Sequence, residues 1–375
     1  MAKFFLRQIL TVLFLCFVLT QNIFAYSIPK DDLKESNYRS IYIAPRNTAN
    51  KPKSNENLIK TKKLATSENQ TNTSIDSQRM KIVQSPEQQL TLKQKLKMIE
   101  AKQTHQSDHF IFDLPVTYNK KVATWISFFQ TRGKNFFRDW LEKSHKYMPL
   151  IQSELKKAGL PTDLAYMVMI ESGFQANAIS HASAVGPWQF ISSTGKNYGL
   201  QQNWWLDERR DIRKSTQAAI RYMQDLKKEF GSWYLVAASY NMGEGGLRRQ
   251  IKRYKTNDYW ELVKFRALPQ ETQDYVPKIL AALMIAKAPN LYGFRNIDAH
   301  YPLQYEVVWA PGGTDLENLA DYLNVTRNSM KELNAELILG YIPKQAQGHP
   351  IRIPLGSLSV AKQFFRDQNK KYALD

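Results

Sequence analysis

The chain has 375 residues, 43% of them hydrophobic, with 52 Lys and Arg against 34 Asp and Glu, giving a formal net charge of +18. That length accommodates two domains and a tail. The charge calls for an anionic partner, for which nucleic acid, a membrane surface and an acidic cell-wall polymer all qualify, while the single cysteine, Cys16, excludes a disulfide framework and cysteine-ligated metal.

Lys3 and Arg7 precede an apolar run from Ile9 to Leu19, and Ala25 closes a cleavage site before Tyr26. This pattern predicts a secretory signal over 1–25, lost with Cys16 on cleavage, and so a periplasmic or cell-envelope address. The run is short for a membrane span. The bulky Ile23, three residues before the cut, keeps an uncleaved N-terminal anchor as the alternative. A lipid-modified cysteine follows a small residue and Cys16 follows Leu15, so no lipid anchor is expected. Peripheral association with the wall or a membrane surface stays open, and no oligomeric state is indicated.

Residues 26–110 are crowded with Lys, Asn, Ser, Thr and Gln, and predict a disordered basic and polar tether that cannot offset its chain entropy. Only Leu90 to Lys102 has weak helical spacing. His105 and His109 are helically spaced, but no third ligand accompanies them, so they read as surface residues. No metal and no cofactor are expected.

Residues 111–298 predict an all-α domain. Apolar positions from Val122 to Phe129, Phe136 to Leu141 and Met148 to Leu155 recur at three- and four-residue steps, giving three short amphipathic helices. Pro161-Thr162-Asp163 then opens an apolar helix from Leu164 that delivers Glu171 just before Ser172-Gly173 stops it. Asp211 caps a long helix that Gly231 ends, Trp233 to Met242 forms another, and a last helix starts near Pro269 with Pro277 in its first turns. Residues 299–375 predict a small separate module and tail. Its order is β-α-α-β: a strand over Tyr305 to Trp309, helices over Asp315 to Leu323 and Arg327 to Leu333, and a strand over Pro350 to Pro354.

Glu171 is the candidate centre. An apolar collar disfavours a charged carboxylate, so its pKa should rise toward the range of a general acid. A solvated or capping Glu at a helix end is the competing reading. Phe174, Trp188, Tyr198, Trp204, Trp205, Tyr240 and Tyr275 suit sugar stacking or core packing. Asp207 and Asp211 read as loop and cap residues.

Glu171 belongs to the first of four ordered motifs. Glu171-Ser172, Gly186-Pro187-Trp188-Gln189, Ser239-Tyr240-Asn241 before Gly243, and Glu271 with Tyr275 resemble those of soluble-lytic-transglycosylase-type domains, closest to the membrane-bound lytic murein transglycosylase D family. The resemblance spans roughly residues 117 to 295. It implies a lysozyme-like fold cleaving the β-1,4 bond between N-acetylmuramic acid and N-acetylglucosamine of peptidoglycan glycan strands, with 1,6-anhydro products. It further implies Glu171 as catalytic acid and base with Ser172 in support. Ser180, Gln189 and Asn241 would bind substrate, Tyr240 and Tyr275 would line the cleft, and Glu271 would contact substrate. Glu271 also fits a structural role in the first turn of its helix. The C-terminal module faintly resembles a LysM glycan-binding unit. A hydrolytic muramidase on the same scaffold and a non-catalytic peptidoglycan-binding protein are the alternatives; a secretory address and the lack of any fold signature argue against nucleic acid.

Overall fold

The computed structural model describes residues 41–43 and 112–372. The expected signal over 1–25, most of the tether, the Leu90 to Lys102 stretch, His105 and His109 lie outside the described residues. Within the tether, β1 (Ile41–Ile43) pairs antiparallel with β2 (Val116–Tyr118), Ile41 opposite Tyr118, an element the composition did not suggest.

The body of the protein is mainly helical. Asn119 caps α1 (Lys120–Gln130) by accepting from Val122 N at 3.1 Å, and the helix buries Val122, Trp125, Ile126 and Phe129. The two further short helices expected over 136–155 are one helix, α2 (Lys134–Lys157), with Pro149 inside it. An interior proline costs about 3 kcal/mol. It is tolerated because Phe137, Leu141, Met148, Ile151 and Leu155 form one buried stripe on both sides of it.

A 3₁₀ turn, Thr162–Ala165, leads into α3 (Tyr166–Ser172), and buried Asp163 pairs with Lys287 Nζ at 2.6 Å. After α4 (Ser192–Asn197), α5 (Ile212–Phe230) is capped by Asp211 Oδ1, which accepts from Arg213 N at 2.8 Å and Lys214 N at 2.9 Å, and Gly231 closes it at φ 71°. Next come α6 (Trp233–Met242), α7 (Glu244–Tyr254) and α8 (Tyr259–Lys264). The last two were not anticipated. Gly243 breaks the chain, but Gly245 and Gly246 lie in the first turn of α7, whose buried Leu247 anchors it.

Helix α9 (Gln270–Lys287) is buried on nearly every side and packs on α1, α3 and α6. Pro277 lies deeper in it than its first turn and cannot donate to the Gln273 carbonyl. Tyr259, itself 1% exposed, repairs this: its hydroxyl donates to the carbonyls of Thr272 and Gln273, both at 3.0 Å.

Beyond it, β3 (Tyr305–Ala310) pairs antiparallel with β4 (His349–Pro354), Tyr305 opposite Pro354 and Ala310 opposite His349, with α10 (Leu316–Tyr322) and α11 (Arg327–Leu333) between them. The expected tail holds a further helix, α12 (Leu358–Tyr372), which packs on β3. Val308, Leu316, Leu319, Met330, Ile351 and Ile353 form this segment's own small core, into which Leu206 of the helical part inserts. Residues 114–372 thus make one compact unit with Ile41–Ile43. No helix of the described residues is long and apolar enough to cross a membrane.

Candidate active site

Helix α3 ends where it does for a steric reason. Gly173 sits in the left-handed region at φ 57°, and a Cβ there would lie 2.1 Å from Trp140 Nε1, so only glycine turns the chain at this point. Phe174 follows at φ 66° and is held by stacking on Tyr147, ring centroids 6.1 Å apart. The turn leaves Glu171 half-buried at the end of a mostly buried helix. Ser172 is buried, and its hydroxyl donates to Pro187 O at 2.8 Å, tying the helix end to the loop that carries Gln189.

That loop is closed on itself. Val185 N donates to Phe190 O at 3.0 Å, Gly186 N to Ala178 O at 2.9 Å, and the Gln189 side-chain amide to Gly186 O at 2.8 Å and Ala178 O at 3.3 Å. Trp188 is fully buried and donates through Nε1 to Thr216 Oγ1 at 2.8 Å, while its carbonyl accepts from Tyr240 Oη at 2.8 Å. Ser180 Oγ accepts from Ala184 N at 3.1 Å. Ser180 and Gln189 are therefore positioned by the loop's own bonds, with no hydrogen bond to Glu171.

On the other side stands α9. Buried Tyr275 donates its hydroxyl to Glu171 Oε1 at 2.5 Å. Exposed Glu271, one turn earlier, accepts from Asn241 Nδ2 at 3.4 Å, and Asn241 Oδ1 accepts from Thr272 Oγ1 at 2.7 Å. The fold thus brings Glu171, Ser172, Tyr240 and Tyr275 together around one carboxyl and links Asn241 to Glu271 beside it. Of the other aromatics considered for stacking, Phe174 and Trp188 are core residues, whereas Trp204 is 62% exposed.

Burial pushes the Glu171 carboxyl up to about 7; the charge of Glu271 adds to this, and the Tyr275 hydrogen bond and the Lys278 cation oppose it. Burial, then the Glu171 charge, holds Tyr240 and Tyr275 well above the ordinary tyrosine range, so both remain donors. Lys278 was not picked out from the sequence. Burial lowers its pKa, and its ammonium lies 4.5 Å from the centroid of the Trp125 ring. The signal was present: Glu271, Tyr275 and Lys278 fall at i, i+4 and i+7, one face of a helix. Also missed was Arg209, 9% exposed, which bonds the loop carbonyls of Ser183 at 3.2 Å and Phe190 at 3.1 Å.

A carboxyl poised near neutrality and fed by a tyrosine hydroxyl can give up a proton and take it back. Among the described residues, no group of three or more His, Cys, Asp or Glu side chains is placed to hold a metal ion.

Residues 148–263 match the transglycosylase SLT domain family. The chain is 38% identical over 209 residues to membrane-bound lytic murein transglycosylase D of Escherichia coli K12, covering 54% of this chain and 45% of that protein. It is 40% identical over 119 residues to a putative tributyltin chloride resistance protein of an Alteromonas strain, covering 31% of this chain and 58% of that one. The chain thus spans about half the length of the curated relatives it matches. A solved structure of an inactive mutant of lytic transglycosylase Slt from Pseudomonas aeruginosa aligns with a TM-score of 0.31 and 18% identity, over 41% of this chain and 25% of that one. Residues 148–263 thus match the transglycosylase SLT domain family, and over 209 residues the chain is similar to membrane-bound lytic murein transglycosylase D.

Proposed function

We propose that the chain is a peptidoglycan lytic transglycosylase of the cell envelope, with Glu171 as its one catalytic acid and base. The observation that carries this reading is the Glu171 carboxyl, pushed up to about 7 and in contact with the Tyr275 hydroxyl at 2.5 Å. Ordinary glycosidases place two carboxylates astride the bond. Here Glu271 is exposed and engaged with Asn241, which favours a single-acid scheme. Protonated Glu171 gives its proton to the glycosidic oxygen as the bond to the muramic C1 breaks, and the sugar's own N-acetyl group stabilises that carbon. The muramic C6 hydroxyl then attacks C1 and returns its proton to the Glu171 carboxylate, closing the 1,6-anhydro ring.

Tyr275 and Tyr240 hold the Glu171 side of the site, and Ser172 supports it through Pro187. Ser180, Gln189, Asn241 and Glu271 contact the glycan. The element order of the β3-α10-α11-β4 segment supports reading it as a LysM-like unit. The apolar run after Lys3 and Arg7 supports export to the periplasm. Digestion of purified peptidoglycan with mass analysis of the muropeptides tests the reaction. We expect 1,6-anhydromuramic ends; reducing muramic ends would make the protein a hydrolytic muramidase, and intact glycan would make it a binding protein.

A further inference from the structure

The segment Trp205–Asp211 faces two ways. Toward the C-terminal module, Leu206 is 2% exposed and inserts into that module's core, flanked by two main-chain bonds, Ile338 N to Trp205 O at 3.0 Å and Asp207 N to Glu336 O at 2.8 Å. The pairing is of β type, with Leu206 opposite Leu337. Toward the candidate site, Asp207 grips Arg209 at both oxygens, Oδ1 from Nε at 2.9 Å and Oδ2 from Nη2 at 2.8 Å. The remaining end of that guanidinium, Nη1, donates to Ser183 O at 3.2 Å and Phe190 O at 3.1 Å, the two flanks of the Gln189 loop.

The main chains are locked as well. Gly186 adopts φ 86°, and a Cβ there would fall 1.9 Å from Arg209 O, so loop and turn are in direct contact. A planar guanidinium with all its edges committed holds geometry in a way that a flexible ammonium cannot.

We infer that Arg209 is a positioning residue for the candidate site and that the C-terminal module, through Leu206 and Asp207, sets where Arg209 stands. The module is thus a buttress of the Gln189 loop in addition to any glycan contact it makes. The rate arm of the test below rests on the transglycosylase reading; the exchange arm does not. A misplacement of about 1 Å in a site can lower a rate by about 10²-fold.

The test uses the full chain and three variants, Arg209→Met, Arg209→Lys and Leu206→Ala, with two readouts: amide hydrogen exchange resolved by peptide, and cleavage of peptidoglycan. Faster exchange is expected at residues 184–190 in all three, with α9 protected as in the wild type. The rate constant for cleavage should fall by about 10–100-fold in Arg209→Met with substrate affinity changed far less. Arg209→Lys should recover only part of it, and Leu206→Ala should show the same pattern more weakly. Wild-type exchange at 184–190 in Arg209→Met would overturn the positioning role. If that variant does not fold, wild-type exchange there in both Arg209→Lys and Leu206→Ala overturns it. Exchange that rises evenly across α9 and the loop would reduce Arg209 to general stability. Faster loop exchange in Arg209→Met and Arg209→Lys but not in Leu206→Ala would remove the module from the account. If the wild type leaves peptidoglycan uncleaved, the transglycosylase reading fails and the exchange result still decides this one.

Discussion

Carboxylates drawn out of solvent at the seam with the C-terminal module and at the candidate site are treated in opposite ways. At the seam with the C-terminal module, Asp211 and Glu336 are 2% and 1% exposed, and Arg352 bridges them, with Nη1 2.8 Å from Glu336 Oε1 and Nη2 on Asp211 Oδ2. Asp207, 7% exposed, has the fork of Arg209. Glu171 has no ion pair among the described residues and receives the Tyr275 hydroxyl instead. A buried carboxylate gripped by a guanidinium serves structure, because removing either partner strands the other. One with only a hydroxyl is pushed toward neutrality, where it can exchange a proton at working pH. The difference separates framework acids from the candidate catalytic one without reference to any motif.

The contrast breaks most visibly at Arg352. Arg352→Met leaves Asp211 and Glu336 buried without their cation and should cost about 3–5 kcal/mol in urea unfolding; a change under about 1 kcal/mol would show the seam to be solvated. Glu171→Gln should do the reverse. Its folded carboxyl titrates at about 7 against an ordinary 4.5, so its contribution to stability is full below about 4.5 and is lost as pH rises through about 7. Gln has no such loss. The variant should match the wild type at pH 4 and exceed it at pH 8 by about 2 kcal/mol, allowing 1.36 kcal/mol per unit and a discount for partial exposure. Calorimetry at the two pH values checks it, and a less stable variant at pH 8 would contradict it.

Tyr275→Phe removes the hydrogen bond that holds the Glu171 pKa down. The alkaline limb of the pH–rate profile should move up, and cleavage should fall about tenfold, the value of one hydrogen bond; an unmoved limb would show the short contact to be inert. Smallest is Tyr259→Phe, which strips a hydroxyl from the orphaned Gln273 carbonyl but touches no charge. It should cost about 1 kcal/mol in urea, and a pH-dependent loss would show that Tyr259 belongs to the charged set.

Much of this was legible in the residues. The positions of α3, α5, α6 and α9 follow from apolar spacing and their flanking Pro, Asp and Gly, and the end of α3 at Ser172-Gly173 places Glu171. Where local signals misled, packing had overruled them: the gap in apolar spacing between Leu141 and Met148 divided what is one helix, α2, and Gly245-Gly246 masked the start of α7. The sequence motifs also listed the residues around Glu171, but not how they divide. Ser172 and Trp188 are pinned inside, Tyr275 touches the carboxyl, and Asn241 is paired with Glu271. Arg209 and Arg352 had no local signature, because their partners at Ser183, Phe190, Asp211 and Glu336 are brought to them only by the tertiary fold.

Burial keeps the Glu171 carboxyl protonated up to near neutrality, against the opposing Tyr275 hydrogen bond and Lys278 cation and with no ion pair to it among the described residues. The most direct measurement is the infrared carbonyl band of a protonated carboxyl group, recorded across pH as the difference between the wild type and Glu171→Gln. The account predicts a band that disappears with a midpoint at about 7. A midpoint at the ordinary 4.5 would contradict it, since Glu171 would then be a charged carboxylate at neutral pH with no proton to give.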